Sequence, residues 1–365
     1  MLGDWWRRVR RWLSRWRESR AGAATIILEI VRQCNQRCRY CYRLPASAGP
    51  ARHLAPAELD LILTRLRDHF GRLRLTISGG EPTLHPELMA MVRRCAAIDP
   101  QVQLITNLQT MTPARAHDLA QAGLRHLQVT FLSPVAAEHD RLCGPGSFGN
   151  WLHGLEAARR AGLQVGAILL VTRSTVGHLE QSLAFLVALG MHGFLVNRYN
   201  AGYPPSDGAE DLFLTAEDLE GFLTTLEEAG RRWNIHIPLG VPIPSCLVEF
   251  ARFPHLEFSA CPIGRAQGMY WAVGADGELR ACNHLPGGLG SLLTARVADL
   301  LAGEAWRSLL ADLERPPPAC LGCPTFGICR GGCRGAAVTW SGSLRGLDPW
   351  VERLLAERRA REGRS

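Results

Sequence analysis

Thr25-Ile26-Ile27-Leu28-Glu29-Ile30-Val31 runs, two residues later, into Cys34-Asn35-Gln36-Arg37-Cys38-Arg39-Tyr40-Cys41-Tyr42. The first segment is a short, mostly β-branched apolar run and reads as a buried strand. The second places three thiols in one tight loop at the strand's end. Soft thiolates in such a cluster suit iron–sulfur or zinc, and a [4Fe–4S] cube held by only three of them keeps one iron open for a substrate or cofactor. A second strand-and-loop pair follows: Leu73-Arg74-Leu75-Thr76-Ile77 leads to Gly79-Gly80-Glu81-Pro82.

Outward from these stretches, the pattern from Thr25 to about Leu239 alternates apolar strand and amphipathic helix six times, which argues a parallel sheet of βα units. Strands are expected at 25–31, 73–77, 102–106, 126–131, 163–171 and 193–198. Pro56 opens a helix carrying Leu59, Ile62, Leu63, Leu66 and Phe70 on one face, and Pro86 and Pro113 open the next two. Later helices are expected at about 150–161, 178–189 and 215–230. Six repeats are too few to close an eight-stranded barrel.

The chain has 365 residues, enough for one large α/β domain and a smaller one. Its 12 Cys would allow six disulfides in a secreted protein. No signal peptide precedes the first strand and the thiols are clustered, which argues against that reading. The longest mid-chain apolar run, Leu183 to Met191, is well short of the ~20 residues a spanning helix needs. The net charge of +7 is concentrated in residues 1–20, whose seven Arg against Asp4 and Glu18 give +5, leaving +2 for the remainder. The body therefore carries no basic signature of a nucleic-acid binder. In that arm Leu2, Trp5, Val9, Leu13 and Trp16 recur at helical steps with Arg on the other faces. Such a helix suits an anionic membrane surface, the protein's own body or an acidic partner.

Cys-x3-Cys-x2-Cys after a first strand, with Tyr40 just before the third Cys and Gly79-Gly80-Glu81 after the second strand, resembles the radical S-adenosylmethionine (SAM) superfamily. The resemblance implies an open (β/α)6 partial barrel, a [4Fe–4S] cluster on Cys34, Cys38 and Cys41, and contact of Gly79, Gly80 and Glu81 with the methionine amino group of SAM. Leu127 to Pro134 with Glu138-His139-Asp140-Arg141 and Gly146-Ser147-Phe148 is similar to the family's fourth-strand segment. This alignment puts Thr130 at a position whose hydroxyl contacts SAM, and Leu132 where many relatives carry Asp. Gly166-Ala167-Ile168 resembles an adenine-packing strand and also reads as ordinary core. Arg198, at the end of the sixth strand, could meet the SAM carboxylate or a substrate acid, or be a solvated rim arginine.

Residues 240–260, rich in Pro and aromatics, read as a bridge. Beyond it lie Cys261, Asp276-Gly277 turning a hairpin between Met269–Val273 and Glu278–Ala281, and Cys282. A helix at about Val297–Leu313 and Pro316-Pro317-Pro318 then precede Cys320-x2-Cys323-x5-Cys329-x3-Cys333. This spacing, with Gly331-Gly332-Cys333, is similar to the SPASM extension of radical SAM enzymes, which holds one or two auxiliary [4Fe–4S] clusters. The resemblance assigns Cys261, Cys282 and Cys333 to an inner cluster and Cys320, Cys323 and Cys329 to an outer one. The family pattern closes with a further Cys, and none follows Cys333. Asp348 lies near that gap and could replace it as a carboxylate ligand. Cys95, Cys143 and Cys246 match nothing and read as small buried hydrophobes.

The expected organisation is an arm (1–20), a partial barrel (21–239), a bridge (240–260), a small Cys-rich SPASM domain (261–345) and a C-terminal helix with a basic tail (346–365). The expected function is SAM cleavage to a 5′-deoxyadenosyl radical that abstracts a substrate hydrogen. The family makes a peptide or protein substrate the leading expectation, with a tetrapyrrole side chain or a lipid intermediate as the small-molecule alternative. Many peptide maturases carry an N-terminal leader-binding domain, and the barrel here begins at Thr25, so a separate leader-binding protein is a further expectation. A flavodoxin- or ferredoxin-type electron donor is expected too, as is a cytoplasmic location with residues 1–20 at the inner membrane surface. An iron–sulfur electron carrier and a zinc-stabilised interaction module are the rival classes, and neither needs Gly79-Gly80-Glu81.

Overall fold

The computed structural model describes residues 22–42, 50–191, 193–202, 209–265 and 269–362. The amphipathic arm expected at 1–20 lies outside them. Ten strands form one sheet: β1 (Ala24–Val31), β2 (Leu73–Gly79), β3 (Gln103–Ile105), β4 (His126–Phe131), β5 (Gln164–Val171), β6 (Phe194–Arg198), β7 (Ile237–Leu239), β8 (Leu256–Phe258), β9 (Tyr270–Val273) and β10 (Leu279–Arg280). Their order is β10-β9-β1-β2-β3-β4-β5-β6-β7-β8. Every neighbouring pair is parallel except β9 and β10, which form the hairpin expected around Gly277. With β10 and β8 at its two ends the sheet does not close.

Strands β1 to β6 follow one another in sequence and in space, each joined to the next through helices. These are α1 (Pro56–Phe70), α2 (Leu88–Ile98), α3 (Pro113–Gln121), α4 (Ala136–Cys143), α5 (Ser147–Arg160) and α6 (Leu179–Ala188), with α7 (Ala216–Trp233) leading on to β7. Pro56 and Pro113 occupy first helical turns as expected, and Thr112 caps α3 by accepting from the Arg115 amide at 3.2 Å. α2 begins at Leu88, two residues later than expected from Pro86. The His85 ring takes the Glu87 N–H at 3.0 Å and donates to the Leu54 carbonyl at 2.9 Å, holding that stretch as a turn. The expected helix at 297–313 is two, α8 (Val297–Ala302) and α9 (Glu304–Glu314), because Gly303 is extended between them. Short α10 (Phe326–Cys329), α11 (Arg334–Ser341) and α12 (Pro349–Glu362) complete the chain.

The bridge and C-terminal region are continuous with the barrel sheet. β8, inside the expected bridge, pairs with β7, and β9 pairs with β1 from Thr25↔Tyr270 to Leu28↔Val273. Strand alternation separates two faces. Leu28, Ile30, Leu75, Ile77, Leu104, Leu127, Val129, Phe131, Val165, Ala167, Leu169 and Val196 are buried. Between them Ile27, Thr76, Gln128, Thr130, Gly166, Ile168, Leu195 and Asn197 form a half-buried concave face, with Gln128 beside Gly166 and Thr130 beside Ile168. Among the described residues no helix is long and apolar enough to cross a membrane.

Candidate active site

The Cys loop leaves the C-terminal end of β1, and the Gly79-Gly80-Glu81 segment, leaving β2, is stitched to its stem. The Gly80 N–H donates to the Val31 carbonyl at 2.9 Å and the Glu81 N–H to that of Gln33 at 2.8 Å. Both glycines are required by this approach. A Cβ on Gly79, whose φ is +139°, would stand 2.3 Å from the Val31 carbonyl oxygen, and one on Gly80 would stand 2.2 Å from that of Gln33. The two motifs therefore fold as one unit, in which β2 positions the thiol loop.

Glu81 is buried, which pushes its carboxyl upward, and its side chain is enclosed by protein donors. It accepts from the Thr83 N–H and hydroxyl at 3.0 and 2.6 Å, the Thr106 hydroxyl at 2.7 Å and the Asn107 N–H at 2.8 Å. The carboxylate thus ties the ends of β2 and β3 together, and any contact of this segment with a cofactor falls to its backbone. Asn107, which sequence reasoning missed, extends the tie to the thiols: its Nδ2 donates to Asn35 Oδ1 at 2.8 Å and lies 3.9 Å from Cys34 Sγ. The one signal available was a polar residue at a strand's C-terminal end in a βα fold.

Cys34, Cys38 and Cys41 are all half-buried. Burial pushes the Cys34 thiol up to about 12, and the Gln36 N–H opposes this by donating to Cys34 Sγ at 3.4 Å. Cys38 and Cys143 interact so that Cys38 is raised and Cys143 lowered. Cys143 also lies 3.6 Å from the Tyr40 hydroxyl. Cys143 is buried as expected, yet it buttresses the thiol loop from α4, whereas Cys95 is plain core. Thr130 sits half-buried on the concave face beside Ile168, with its carbonyl accepting from Trp151 Nε1 at 3.1 Å.

The C-terminal thiols lie in two neighbourhoods, Cys282 with Cys261 and Cys333, and Cys320 with Cys323 and Cys329. Cys282 is buried and Cys333 half-buried, and desolvation raises them to about 11 and 12, with Cys261 adding to the first and Asp348 and Cys282 to the second. Donors already point at these sulfurs: Asn200 Nδ2 reaches Cys333 Sγ at 3.1 Å, and the His284 N–H reaches Cys282 Sγ at 3.4 Å. Tyr42 connects this group to the N-terminal loop. Its ring stacks on His284 with centroids 4.1 Å apart, and its hydroxyl accepts from Asn283 Nδ2 at 2.7 Å. In the second group Cys320 feels Cys329 and Cys323, while Cys323 Sγ lies 3.3 Å from Thr325 Oγ1. Arg334 is buried with its charge close to Cys261 and Cys320, between the two groups.

Three expectations are corrected. Arg198 does not face the rim, since both it and Asp348 are buried and they bind each other at 2.5 Å. The guanidinium also donates to the Pro242 carbonyl at 2.9 Å and the Tyr199 carbonyl at 3.1 Å, and lies 4.0 Å over the Trp350 ring. Asp348 accepts from the Cys333 N–H at 2.9 Å and the Trp350 N–H at 3.0 Å. Its oxygens are spent on this network, beside the inner thiols, so it is unsuited to replace a ligand of the outer group. Cys246, expected to be buried, is exposed.

Among the described residues no three His, Cys, Asp or Glu groups converge as a single metal ion requires. One zinc draws all its ligands to one centre, whereas in a [4Fe–4S] cube each thiolate binds its own iron and the sulfurs stand farther apart. The thiol-only donor sets and the N–H groups aimed at their sulfurs fit the cube.

A sequence model of the Radical SAM superfamily matches residues 28–186, from β1 into α6. This part of the chain is a radical SAM domain. Its cofactors are accordingly SAM and a [4Fe–4S] cluster, which Cys34, Cys38 and Cys41 would hold. Along nearly its whole length it is similar to an AdoMet-dependent heme synthase of Oleidesulfovibrio alaskensis, at 23% identity covering 89% of this chain and 86% of the relative. It is similar at 25% identity to a PqqA peptide cyclase of Xanthomonas euvesicatoria, covering 90% and 87%. Native anSMEcpe, solved with AdoMet and the Cp18Cys peptide, shares the fold at a TM-score of 0.70 and 16% identity, over 91% of this chain and 94% of that one.

Proposed function

We propose that this radical SAM enzyme modifies a side chain of a peptide or protein, with an inner auxiliary cluster on Cys261, Cys282 and Cys333 and an outer one on Cys320, Cys323 and Cys329. A [4Fe–4S] cluster held by Cys34, Cys38 and Cys41 would, when reduced, supply the one-electron cleavage of bound SAM that initiates hydrogen abstraction from the substrate. The chain's own residues do the positioning. Glu81 and the two glycines before it fix the thiol loop, Asn107 steadies Cys34, and Thr130 offers a hydroxyl on the concave face. Gly79 and Gly80 present backbone close to the loop, where the methionine amino group would be held.

The observation that carries the reading is the Tyr42–His284 stack, which joins the loop of Cys34, Cys38 and Cys41 to the N–H that serves Cys282. A cluster held by Cys261, Cys282 and Cys333 would through this contact adjoin the N-terminal thiol loop. The peptide class is supported by the PqqA peptide cyclase relatives and by the shared fold with a peptide-bound enzyme. The sheet ends in two edge strands, β10 and β8, beside which an extended chain could lie. A leader sequence would be held by a separate protein or by the barrel and auxiliary region directly, and a flavodoxin- or ferredoxin-type protein would deliver the reducing electron.

The heme synthase relatives favour a second reading, a tetrapyrrole side chain as substrate. A lipid intermediate would instead give the Trp/Arg arm of residues 1–20 a purpose at a cytoplasmic membrane surface. Co-expression with a short Cys- or repeat-rich peptide encoded beside the gene tests the proposal. A peptide mass change that requires Cys38 is expected. No change in any candidate peptide, together with tight tetrapyrrole or lipid binding, would overturn it.

A further inference from the structure

The outer thiol group, as the sequence pattern delivers it, supplies three ligands for a cube that takes four. Asp348 is excluded by its buried pairing with Arg198. The structure brings another thiol to the site from a different part of the chain. Ser245-Cys246 lies in the loop between β7 and β8, and Ser245 Oγ is hydrogen-bonded to Thr325 Oγ1 at 3.0 Å. The same Thr325 hydroxyl lies 3.3 Å from Cys323 Sγ, so Cys246 is the chain neighbour of a residue hydrogen-bonded into the outer loop. Its sulfur is close enough to Cys323 and Cys329 to feel both charges, and Cys320 in turn feels Cys246.

Both sides of this meeting are pinned. From α12, Arg358 donates to the Cys246 carbonyl at 2.7 Å and to the Leu247 carbonyl at 3.3 Å. Across the site, Arg265 donates to the Gly327 carbonyl at 2.9 Å, fixing the turn between Cys323 and Cys329. Cys246 thus lies near each of Cys320, Cys323 and Cys329, and a [4Fe–4S] cube takes one thiolate at each of its four irons. Left unligated, Cys246 would be an exposed thiol beside three others, open to oxidation and disulfide formation.

We propose that Cys246 is the fourth ligand of the outer auxiliary cluster. The inference rests on the outer-cluster reading given above, and it makes Cys320, Cys323, Cys329 and Cys246 a complete all-thiolate set. The ligand missing after Cys333 is replaced by one that precedes Cys261 in sequence.

Holoprotein purified without oxygen is treated with iodoacetamide before and after its clusters are removed with chelator, and alkylation at Cys246 is read by peptide mass spectrometry. Cys246 is expected to be protected in the holoprotein and modified after removal. Equal modification in both states would overturn the proposal. In parallel, iron and sulfide are counted in Cys246→Ala and in the triple variant Cys320→Ala/Cys323→Ala/Cys329→Ala. The triple variant is expected to lose about four irons per chain. Cys246→Ala is expected to lose the same complement, or to retain part of it with a [3Fe–4S]-type electron paramagnetic resonance signal. If the triple variant keeps the wild-type iron content, the outer cluster itself fails and the proposal with it. If only the triple variant loses iron and the Cys246→Ala spectrum is unchanged, the ligand assignment alone fails.

Discussion

Asp348→Asn separates an ion-pair role from a ligand role. The side chains of Arg198 and Asp348 are each 1% exposed, so the variant leaves a guanidinium in the interior without its counter-charge. Breaking such a buried pair by removing one partner costs about 3–5 kcal/mol. The asparagine oxygen can keep one of the two N–H donors, from Cys333 and Trp350, that the carboxylate accepts, and its NH2 faces Arg donors, which argues for the upper part of that range. Arg198→Met should cost less, because the carboxylate keeps both N–H groups. In the double variant the orphaned charge is gone, and a coupling of roughly 1–3 kcal/mol should return. The readout is native-state hydrogen exchange at the amides of Cys333, Trp350 and the first turns of α12, which reports local opening. Converted at RT, the expected cost is about a 150- to 5,000-fold loss of protection in Asp348→Asn. Additive effects in the double variant would refute the ion-pair reasoning. Loss of one outer cluster's iron from Asp348→Asn, with protection unchanged, would restore Asp348 as a ligand.

Gly80→Ala forces a Cβ to within 2.2 Å of the Gln33 carbonyl oxygen, so the thiol loop must shift. About four irons per chain should be lost from the N-terminal site while the visible spectrum of the C-terminal clusters persists, as checked by iron analysis. Glu81→Ala orphans the donors of Thr83, Thr106 and Asn107, and SAM cleavage should fall at least tenfold while the global fold survives by circular dichroism. His139 is held neutral by burial, its pKa lowered from 6.5 to about 4. Below pH 6.5 the unfolded chain binds a proton that the folded one refuses, so stability should fall as pH drops from 6.5 towards 4, by at most about 3 kcal/mol, and His139→Gln should flatten that slope in denaturant titrations. Deleting residues 1–20 should abolish sedimentation with anionic vesicles and leave SAM cleavage intact, whereas full-length protein that ignores vesicles at low salt would assign the arm to another partner.

The elements most legible in the sequence were those set by local pattern. The strands at Ala24–Val31, Leu73–Gly79, His126–Phe131 and Gln164–Val171 are runs whose burial is dictated by alternation and length, and Pro56 and Pro113 opened helices because each lacks the N–H a first turn has no use for. The thiol groups were legible because short fixed spacings bring them together whatever the rest of the chain does. What escaped depends on distant chain segments. Arg198 and Asp348 each carried a plausible separate role, and only the packing of α12 against the end of β6 makes them partners. Asn107, Cys143 and Cys246 sit near thiols they do not neighbour in sequence, so no spacing could announce them. The β1–β9 pairing, which joins the C-terminal hairpin to the first strand, was likewise invisible to local pattern because it links residues far apart in sequence.

The most direct test of the account is SAM turnover by the anaerobically purified, dithionite-reduced protein, compared with Cys38→Ala. The wild type should be brown and release 5′-deoxyadenosine and methionine in equal amounts. Cys38→Ala should release neither, while keeping the iron of its C-terminal clusters. A colourless, zinc-bearing wild-type protein, or undiminished 5′-deoxyadenosine from Cys38→Ala, would contradict it.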